Sequence, residues 1–248
     1  MKAMILAAGE GTRIREVTEG KIPKPMVDLG DGPLIEHTVN KLVDFGVEEI
    51  IINLHHRGDK IKGYFGNEWE EVPITYSEEK DLLGTAGAIK KVENRLNEDF
   101  LLVYGDILTD LNLEKFLKYH KEIESDTTVL TYRQEENLTE ASIILKNQEN
   151  EITQFIEKPS ESVVEKFKDR SVWTNGAVFI MDPSILNYIP DGQSDLSDDI
   201  FPKLVESENF KFKAHPLPEN TYWQEVGNPE RYRKVRKDIQ NGKIDFRN

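Results

Sequence analysis

The stretch that decides the fold is KAMILAAGEGTR, residues 2–13. Residues 2–8 are a short apolar run rich in Ala, Ile and Leu, which predicts a buried parallel strand. Gly9 and Gly11 follow at once, and glycines spaced two apart after a strand let backbone N–H groups turn towards a phosphate. A helix after the loop would add the positive end of its dipole. The stretch therefore predicts a strand, a phosphate-facing loop and a helix.

Two better-known nucleotide-binding fingerprints are incomplete in this loop. Ile14 stands where a dinucleotide fingerprint has its third glycine, and no Lys-Ser or Lys-Thr pair ends the loop as in a P-loop. A tight strand-to-helix turn without any ligand gives the same local pattern. Arg13 favours an anion site, because a guanidinium directly after the loop offers a fork to a polyphosphate. Lys24 lies between two prolines that favour a stiff, extended segment, so we expect its ammonium group to project from the chain. Alone it would suit a solvated surface residue, but together with Arg13 beside one loop it indicates an anion site.

The first 110 residues alternate between predicted strands and predicted helices. Strands are predicted at 49–54, 74–77 and 100–104, and helices at 33–45, 60–65 and 85–96. This alternation is typical of an α/β fold with a doubly wound, mostly parallel (Rossmann-like) sheet flanked by helices. Ligands bind outside the carboxyl ends of such strands. Asp106 follows the strand at 100–104, so we expect it near the glycine loop, with a turn or cap residue as the alternative.

The second half is predicted to add a small β region to this sheet. Strands are predicted at 127–132, 141–145, 152–156, 174–181 and, exposed, at 210–216, and helices at 113–122, 163–167, 183–188, 196–205 and 229–241. No linker rich in Gly, Ser or Pro and no internal repeat divides the chain, so we expect one domain. His55 and His56 would point opposite ways on a strand, and we therefore interpret them as surface residues rather than metal ligands.

The balance of charges excludes several classes of protein. The chain of 248 residues has 46 Asp and Glu against 32 Lys and Arg, which gives a formal net charge of −14. A duplex nucleic-acid binder carries a basic stripe and an anionic membrane attracts cations, so we expect neither nucleic acid nor a membrane as a partner. The absence of cysteine excludes disulfides, zinc–thiolate sites and cysteine nucleophiles. No apolar run at the start is long enough for a signal peptide or a membrane span, so the expected location is the cytoplasm.

Six motifs follow one another along the chain. They are GEGTR at 9–13 with PKPM at 23–26, LGTAGAI at 83–89, YGD at 104–106, FIEKP at 155–159, WTNG at 173–176 and WQEVGNPERY at 223–232. In this order they resemble the signature of the sugar-1-phosphate nucleotidylyltransferases, the nucleoside-diphosphate-sugar pyrophosphorylases. The resemblance implies one nucleotidyltransferase domain over 1–248, with a nucleotide-binding half at 1–110 and a sugar-binding half at 111–248. No hexapeptide repeat follows the last predicted helix, so we expect no C-terminal β-helix.

The reaction that the resemblance implies is attack of a sugar-1-phosphate oxygen on the α-phosphorus of a nucleoside triphosphate (NTP). Pyrophosphate would leave, and Mg²⁺ would be the cofactor. The nucleophile is already an anion near neutral pH, since a phosphate monoester has its second pKa at about 6, so no strong base is required. The LGTAGAI motif most closely resembles guanylyltransferases acting on mannose- or heptose-1-phosphate, which favours GTP. UTP or dTTP with glucose-1-phosphate or an amino-sugar phosphate is the alternative, and a homo-oligomer is compatible with the family.

The same resemblance implies roles for individual residues. Arg13 and Lys24 would be catalytic, Arg13 at the leaving pyrophosphate and Lys24 near the α-phosphate. The residues that would bind the nucleotide are Leu6, Ala8, Gly9, Gly11, Thr12, Gly84, Thr85 and Gly87. Those that would bind the sugar phosphate are Ser142, Glu157, Lys158 and Asn175. Asp106 and Glu225 would hold Mg²⁺.

Three features depart from the family pattern. Glu225 stands where the family has a metal-binding Asp, Ser142 stands where many members have a glycine, and the stretch between Arg13 and Lys24 is one residue longer. A non-catalytic nucleotide-binding homologue is therefore a second hypothesis. A third is an NAD(P)-dependent dehydrogenase, which suits the predicted sheet but requires a third glycine that the loop lacks.

Overall fold

The computed structural model describes residues 1–134, 136–167 and 172–244. These residues fold into two compact units, each built from separated stretches of chain. The first unit contains residues 1–82, 100–113 and the described residues from 219 onwards, and the second contains 83–99 and the described residues of 114–218. The units do not coincide with the predicted halves at 1–110 and 111–248, because the chain enters and leaves the second unit twice.

The elements are short and numerous. The strands are β1 (Lys2–Leu6), β2 (Ile50–Leu54), β3 (Glu68–Trp69), β4 (Val72–Glu78), β5 (Phe100–Tyr104), β6 (Ile107–Thr109), β7 (Thr127–Arg133), β8 (Ile143–Lys146), β9 (Ile152–Ile156), β10 (Trp173–Met181), β11 (Phe212–Pro216) and β12 (Trp223–Glu225). The helices are α1 (Arg15–Thr18), α2 (Leu34–Phe45), α3 (Gly58–Phe65), α4 (Gly84–Lys91), α5 (Leu113–Glu122), α6 (Glu161–Val164), α7 (Phe201–Glu206) and α8 (Pro229–Gln240). Within the described ranges, no helix combines the length and the apolar character needed to cross a bilayer.

Four parallel strands form the sheet of the first unit, in the order β5-β1-β2-β4. Strand β1 pairs with β2 on one side and with β5 on the other, where Leu6 lies opposite Tyr104. The strand order reverses at β1, which is the kind of switch point at which ligands bind in doubly wound sheets. Strand β3 is an antiparallel partner of β4, and β6 and β12 form a separate antiparallel ribbon with Ile107 opposite Glu225. The predicted fold class, a doubly wound and mostly parallel α/β sheet, is confirmed.

One hydrophobic cluster supports the predicted site of the first unit. It includes Ile14, Val27, Leu108 and Val226, which are all fully buried. Each of the four lies within three residues of a predicted catalytic or metal-binding residue. Burying a large apolar side chain contributes about 1.5–3 kcal/mol, so this cluster holds the backbone next to all four predicted site residues.

The second unit contains a mixed sheet. Strand β7 pairs with β10 in antiparallel and with β11 in parallel orientation, and β8 is antiparallel to both β9 and β10. Strand β10 has a bulge, since its register with β7 shifts between Asn175 and Phe179. The prediction of an exposed strand at 210–216 is wrong. Phe212 and Ala214 of β11 are buried, because this strand is a partner of β7 within the unit.

Short elements account for the other differences from the predictions. After the glycine loop, a 3-10 turn at Thr12–Ile14 and the four-residue α1 replace the expected helix, so a helix dipole adds little there. Strands β3, β6 and β12 have only two or three residues, too few to show an alternating pattern, and the sequence predicts none of them. The helix predicted at 196–205 starts with a π-helical turn at Leu196–Ile200 before α7 begins.

Candidate active site

The glycine loop follows β1. One side of the loop is open, and the other side lies close to neighbouring residues. The N–H of Gly105 donates to the carbonyl of Leu6 (2.8 Å), which holds the loop against the end of β5. Gly11 has a φ of 62°, a conformation that favours glycine, and a Cβ there would lie 2.9 Å from the Cβ of Lys24. A Cβ on Gly9 would meet nothing within 4 Å, so this side of the loop is open. The nucleotide contacts of Leu6, Ala8, Gly9, Gly11 and Thr12 stay predictions.

Lys24 and Asp106 form an ion pair beside this loop. The ammonium Nζ contacts Oδ2 of the carboxylate, and the two side chains are only 12% and 23% exposed. Asp106 lies in the turn between β5 and β6, at the carboxyl end of the parallel sheet. The prediction of an extended segment is wrong at Lys24, because only Pro23 has an extended backbone and a 3-10 turn begins at Lys24. The turn brings the ammonium group to the carboxylate at the strand end.

Glu225 lies between two guanidinium groups. Its Oε1 accepts a hydrogen bond from Nη2 of Arg13 (3.2 Å), and its Oε2 accepts one from Nη1 of Arg231. The side chains of Glu225 and Arg231 are partly buried, whereas that of Arg13 is 62% exposed. Arg231 is not predicted from the sequence as a site residue, although it lies inside the last motif. In the sequence, Arg231 is only an arginine six residues after Glu225. Its contact with Glu225 can be recognised only once β12 and α8 are placed.

A buried polar network supports the loop from β2. Asn53 is the one polar residue in the β2 sequence IIINL; its Oδ1 accepts the N–H of Ala7 (2.7 Å), and its Nδ2 donates to Glu79 (2.8 Å). The Nδ1 of His55 lies 3.0 Å from the carbonyl oxygen of Glu79. The interpretation as surface residues therefore holds for His56, which is exposed, but not for the half-buried His55. A lone polar residue inside an apolar strand is the sequence signal for this network.

Replacing Asn53 by alanine is expected to lower the free energy of unfolding by about 2–3 kcal/mol, because a buried N–H and a buried carboxylate each lose a partner. Urea denaturation followed by circular dichroism measures the change. Asn67→Ala is the control, since Asn67 is exposed and such surface changes are worth about 0.5 kcal/mol or less. Equal stability of the two variants would contradict the supporting role of Asn53.

In the second unit, the residues predicted to bind the sugar phosphate lie on β10 or directly beside the ends of β8 and β9. The hydroxyl of Ser142 accepts the N–H of Asn175 (3.0 Å), and the N–H of Lys158 donates to the carbonyl of Ala141 (3.1 Å). Ser142 is buried, so its hydroxyl orients Asn175 instead of facing open space. The Nζ of Lys158 lies 4.0 Å from Oε1 of Glu157. These residues are therefore neighbours, and their contact with a sugar phosphate stays a prediction.

Two positions in this region have a strained backbone. Lys158 has a φ of 39° and precedes a proline, and Ala177 has a φ of 56° inside the β10 bulge. The Asn175 side chain accepts the N–H of Ala177 (2.8 Å), which stabilises the bulge. Such conformations cost about 1–3 kcal/mol each and occur disproportionately at functional sites. The strain therefore favours a binding site here on grounds independent of the motifs.

Glu157 has a partly buried and acidic environment. Burial raises the pKa of its carboxyl group, Lys158 lowers it, and Asp198 and Asp195 raise it again. The balance keeps the pKa above its ordinary value. A carboxylate in such surroundings forms stronger hydrogen bonds than a solvated one, which suits recognition of a sugar hydroxyl.

The glycines of the LGTAGAI motif have a structural cause. A Cβ on Gly84 or Gly87 would run into backbone carbonyls of the segment 192–195. The hydroxyl of Thr85 donates to Asp195 (3.1 Å) on the same segment. Close packing of α4 on this segment therefore explains why these positions are glycine. This packing does not test the predicted contact of these residues with the nucleotide, which stays a prediction.

Carboxylate oxygens are the candidate metal ligands. Among the residues that the structure describes, no three His, Cys, Asp or Glu side chains gather in a way that could hold a metal ion. Mg²⁺ is usually held by one or two carboxylates together with substrate phosphates, and Asp106 and Glu225 suit it chemically. Lys24 contacts one oxygen of Asp106, whereas arginines contact both oxygens of Glu225. Asp106 is therefore the better-placed ligand of the two.

The fold and the site together define a class, the doubly wound α/β proteins with a glycine loop flanked by basic side chains. The model of the Nucleotidyl transferase family matches residues 2–242, and the chain belongs to this family. Membership of this family argues against the dehydrogenase hypothesis.

Individual relatives agree with this assignment. The UTP–glucose-1-phosphate uridylyltransferase of Synechocystis is 33% identical over 98% of this chain and 66% of its own length. The mannose-1-phosphate guanyltransferase of Aspergillus oryzae is 31% identical over 93% of this chain and 62% of its own length. The chain thus spans less than two thirds of either relative. The crystal structure of HddC from Yersinia pseudotuberculosis complexed with GMP-PN superposes with a TM-score of 0.75 and 25% identity, covering 96% of this chain and 99% of HddC.

Proposed function

We propose that the chain transfers a nucleoside monophosphate from an NTP to a sugar-1-phosphate, giving a nucleoside-diphosphate sugar and pyrophosphate. The observation that carries the proposal is the pair of ion pairs at the glycine loop. Lys24 pairs with Asp106 at the end of β5. Arg13 pairs with Glu225 at the end of β12. Two cations and two carboxylates beside a loop that is open at Gly9 suit a metal-bound polyphosphate. Membership of the Nucleotidyl transferase family supports the same reaction.

The chemistry depends on alignment and on neutralising charge. A phosphate oxygen of the sugar-1-phosphate attacks the α-phosphorus, the bond from that phosphorus to the bridging oxygen breaks, and this oxygen leaves with the electron pair as part of pyrophosphate. The nucleophile is already ionised, so no general base is needed. Positioned cations then supply most of the catalysis. Lys24 would stabilise charge that grows at the α-phosphate, and Arg13 would stabilise the departing pyrophosphate.

Mg²⁺ is the proposed cofactor. Asp106 would hold it, with Glu225 as the second candidate ligand. Their oxygen atoms are the donors that this hard cation prefers, and both residues lie in the unit that carries the glycine loop. Bound Mg²⁺ would add positive charge at the phosphates of the nucleotide.

The sugar phosphate is assigned to the second unit. Lys158 would bind its phosphate, and Glu157 would accept a hydrogen bond from a sugar hydroxyl. Asn175 would line the pocket, held in place by Ser142. The strained backbone at Lys158 supports this assignment, because strained conformations occur disproportionately at functional sites.

GTP with mannose- or heptose-1-phosphate is the proposed substrate pair. The LGTAGAI motif, the guanyltransferase name of the Aspergillus relative and the GMP-PN complex of HddC support it. UTP with glucose-1-phosphate is a second candidate, favoured by the Synechocystis relative, whose identity is slightly higher. The cytoplasm is the proposed location. The net charge of −14 supports the absence of a nucleic-acid or membrane partner. The homo-oligomer stays a prediction.

Pyrophosphate release tests the proposal. GTP, UTP, dTTP and ATP are each combined with mannose-, heptose-, glucose- and an amino-sugar 1-phosphate, with and without Mg²⁺. We expect turnover that requires Mg²⁺ and is highest for GTP with mannose- or heptose-1-phosphate. A nucleotide that raises the melting temperature while no pair releases pyrophosphate would support the non-catalytic homologue instead.

A further inference from the structure

Arg231 is a cation that the proposed function does not yet use. It lies in the first turn of α8, where the side chain of Asn228 caps the helix and accepts the Arg231 N–H (2.9 Å). Its guanidinium contacts one oxygen of Glu225 while Arg13 contacts the other. One carboxylate therefore neutralises only one of two converging positive charges. The group as a whole retains a charge of about +1, since arginine stays protonated in proteins.

The space between the two arginines is shaped for an anion. The carboxylate of Glu225 is folded back over Gly227, where a Cβ would collide with its Oε1 and lie 3.5 Å from Nη2 of Arg13. The backbone beneath is fixed, because the N–H of Val226 donates to the carbonyl of Asp106 (2.8 Å). The missing side chain at Gly227 thus makes room for two anionic oxygens between two guanidinium groups.

A substrate anion can displace this carboxylate from both arginines. Exposed ion pairs are worth about 0–1 kcal/mol, so the exchange costs little at Arg13, whose side chain is 62% exposed. The exchange costs more at Arg231, whose side chain is 34% exposed. Guanidinium groups bind phosphate oxygens with the same fork geometry as carboxylates. Pyrophosphate carries more charge than one carboxylate, so electrostatics favours the exchange.

We propose that Arg231 is a second pyrophosphate-binding arginine, and that Glu225 occupies the anion position between Arg231 and Arg13 when substrate is absent. The inference rests on the proposed function. Arg231 and Arg13 together hold the departing pyrophosphate. Glu225 competes for the same donors, which weakens pyrophosphate binding and favours product release.

Calorimetric titration with inorganic pyrophosphate, in EDTA, tests this on the full chain. Glu225→Gln should tighten binding about tenfold, because it removes the competing charge, and Arg231→Gln should weaken it about tenfold, the size expected for one charge-assisted contact. Arg231→Lys should lie between the wild type and Arg231→Gln, since it keeps the charge but loses the fork. Because the two neutralising changes have opposite signs, a general effect on folding cannot produce the pattern.

Arg233→Gln is the matched control. Arg233 lies on the same helix and forms an exposed ion pair with Glu16, so pyrophosphate affinity should not change. The melting temperature of Arg233→Gln without ligand should stay within about 4 °C of that of the wild type, since a surface ion pair contributes little to stability.

Two results would overturn the inference. One is equal pyrophosphate affinity of Arg231→Gln and Arg233→Gln. The other is unchanged or weaker binding by Glu225→Gln, including the case in which neither the wild type nor this variant binds measurably. Failure of the proposed function is seen separately, as no pyrophosphate release by the wild type from any NTP and sugar-1-phosphate.

Discussion

Lys24→Ala is expected to lower the turnover number about 10²-fold or more while the fold is retained, as for the loss of one charge-stabilising group in an active site. The Lys24 side chain is only 12% exposed, and a charge in such a site acts more strongly than one in bulk water. It pairs with Asp106, and its Cβ lies close to Gly11 of the loop, which is where the proposed function places the α-phosphate of a bound nucleotide. Initial rates of pyrophosphate release over a range of NTP concentrations give kcat and KM.

Lys21→Ala is the control for this change. Lys21 lies three residues earlier, is exposed and pairs with Glu19, so turnover should change less than about twofold. Arg13→Ala should cost about as much turnover as Lys24→Ala. Retained turnover in both Arg13→Ala and Lys24→Ala would refute the roles assigned to these cations.

Gly87→Ala is expected to lower the free energy of unfolding by about 3 kcal/mol, the upper range for forcing an extra methyl group into a packed site. The new Cβ would collide with the carbonyl of Gly192 and lie 3.1 Å from the Cβ of Leu83. Both obstacles belong to, or are attached directly to, the backbone, so neither moves easily. Chemical denaturation of the full chain measures the loss.

Gly63→Ala provides a control of opposite sign. Gly63 is also a helix residue, in α3, but a Cβ there meets nothing within 4 Å. Alanine should therefore stabilise the chain by about 0.5–1 kcal/mol. If Gly87→Ala left stability unchanged but lowered nucleotide affinity, the glycine would be reserved for the ligand, as the motif alone predicts.

Most of the fold can be predicted from the local pattern of apolar and polar residues. The helix predicted at 33–45 is found at Leu34–Phe45, and the strands predicted at 100–104 and 152–156 have those bounds. The helix buries one face and the strand at 100–104 is almost entirely buried, so their burial is visible in the order of apolar residues. Elements of two or three residues, such as β6 and β12, have no such order and depend on their partners.

Contacts between distant residues are not visible in the sequence. Arg13 and Glu225 are 212 positions apart, and their pairing depends on the ribbon of β6 and β12. The motif predicts Glu225 as a metal ligand, and nothing near it in the sequence shows that two arginines take its oxygens. The reason for a glycine is equally ambiguous in the sequence, since the missing side chain at Gly87 can make room either for a ligand or for a packed backbone carbonyl. Residue identity therefore indicated the chemistry, while the partners required the structure.

The first unit is built from three separate stretches of the chain, and this has a consequence during translation. The glycine loop leaves the ribosome early, but the carboxylate that meets Arg13 is encoded 212 codons later. At ribosomal rates of about 5–20 residues per second, the loop waits roughly 10–40 s for it. A nascent chain that stops before residue 219 holds an arginine with no native counter-charge, lacks α8, and exposes the edge of β6. The proposed anion site is thus completed only when the third stretch of the first unit has been synthesised.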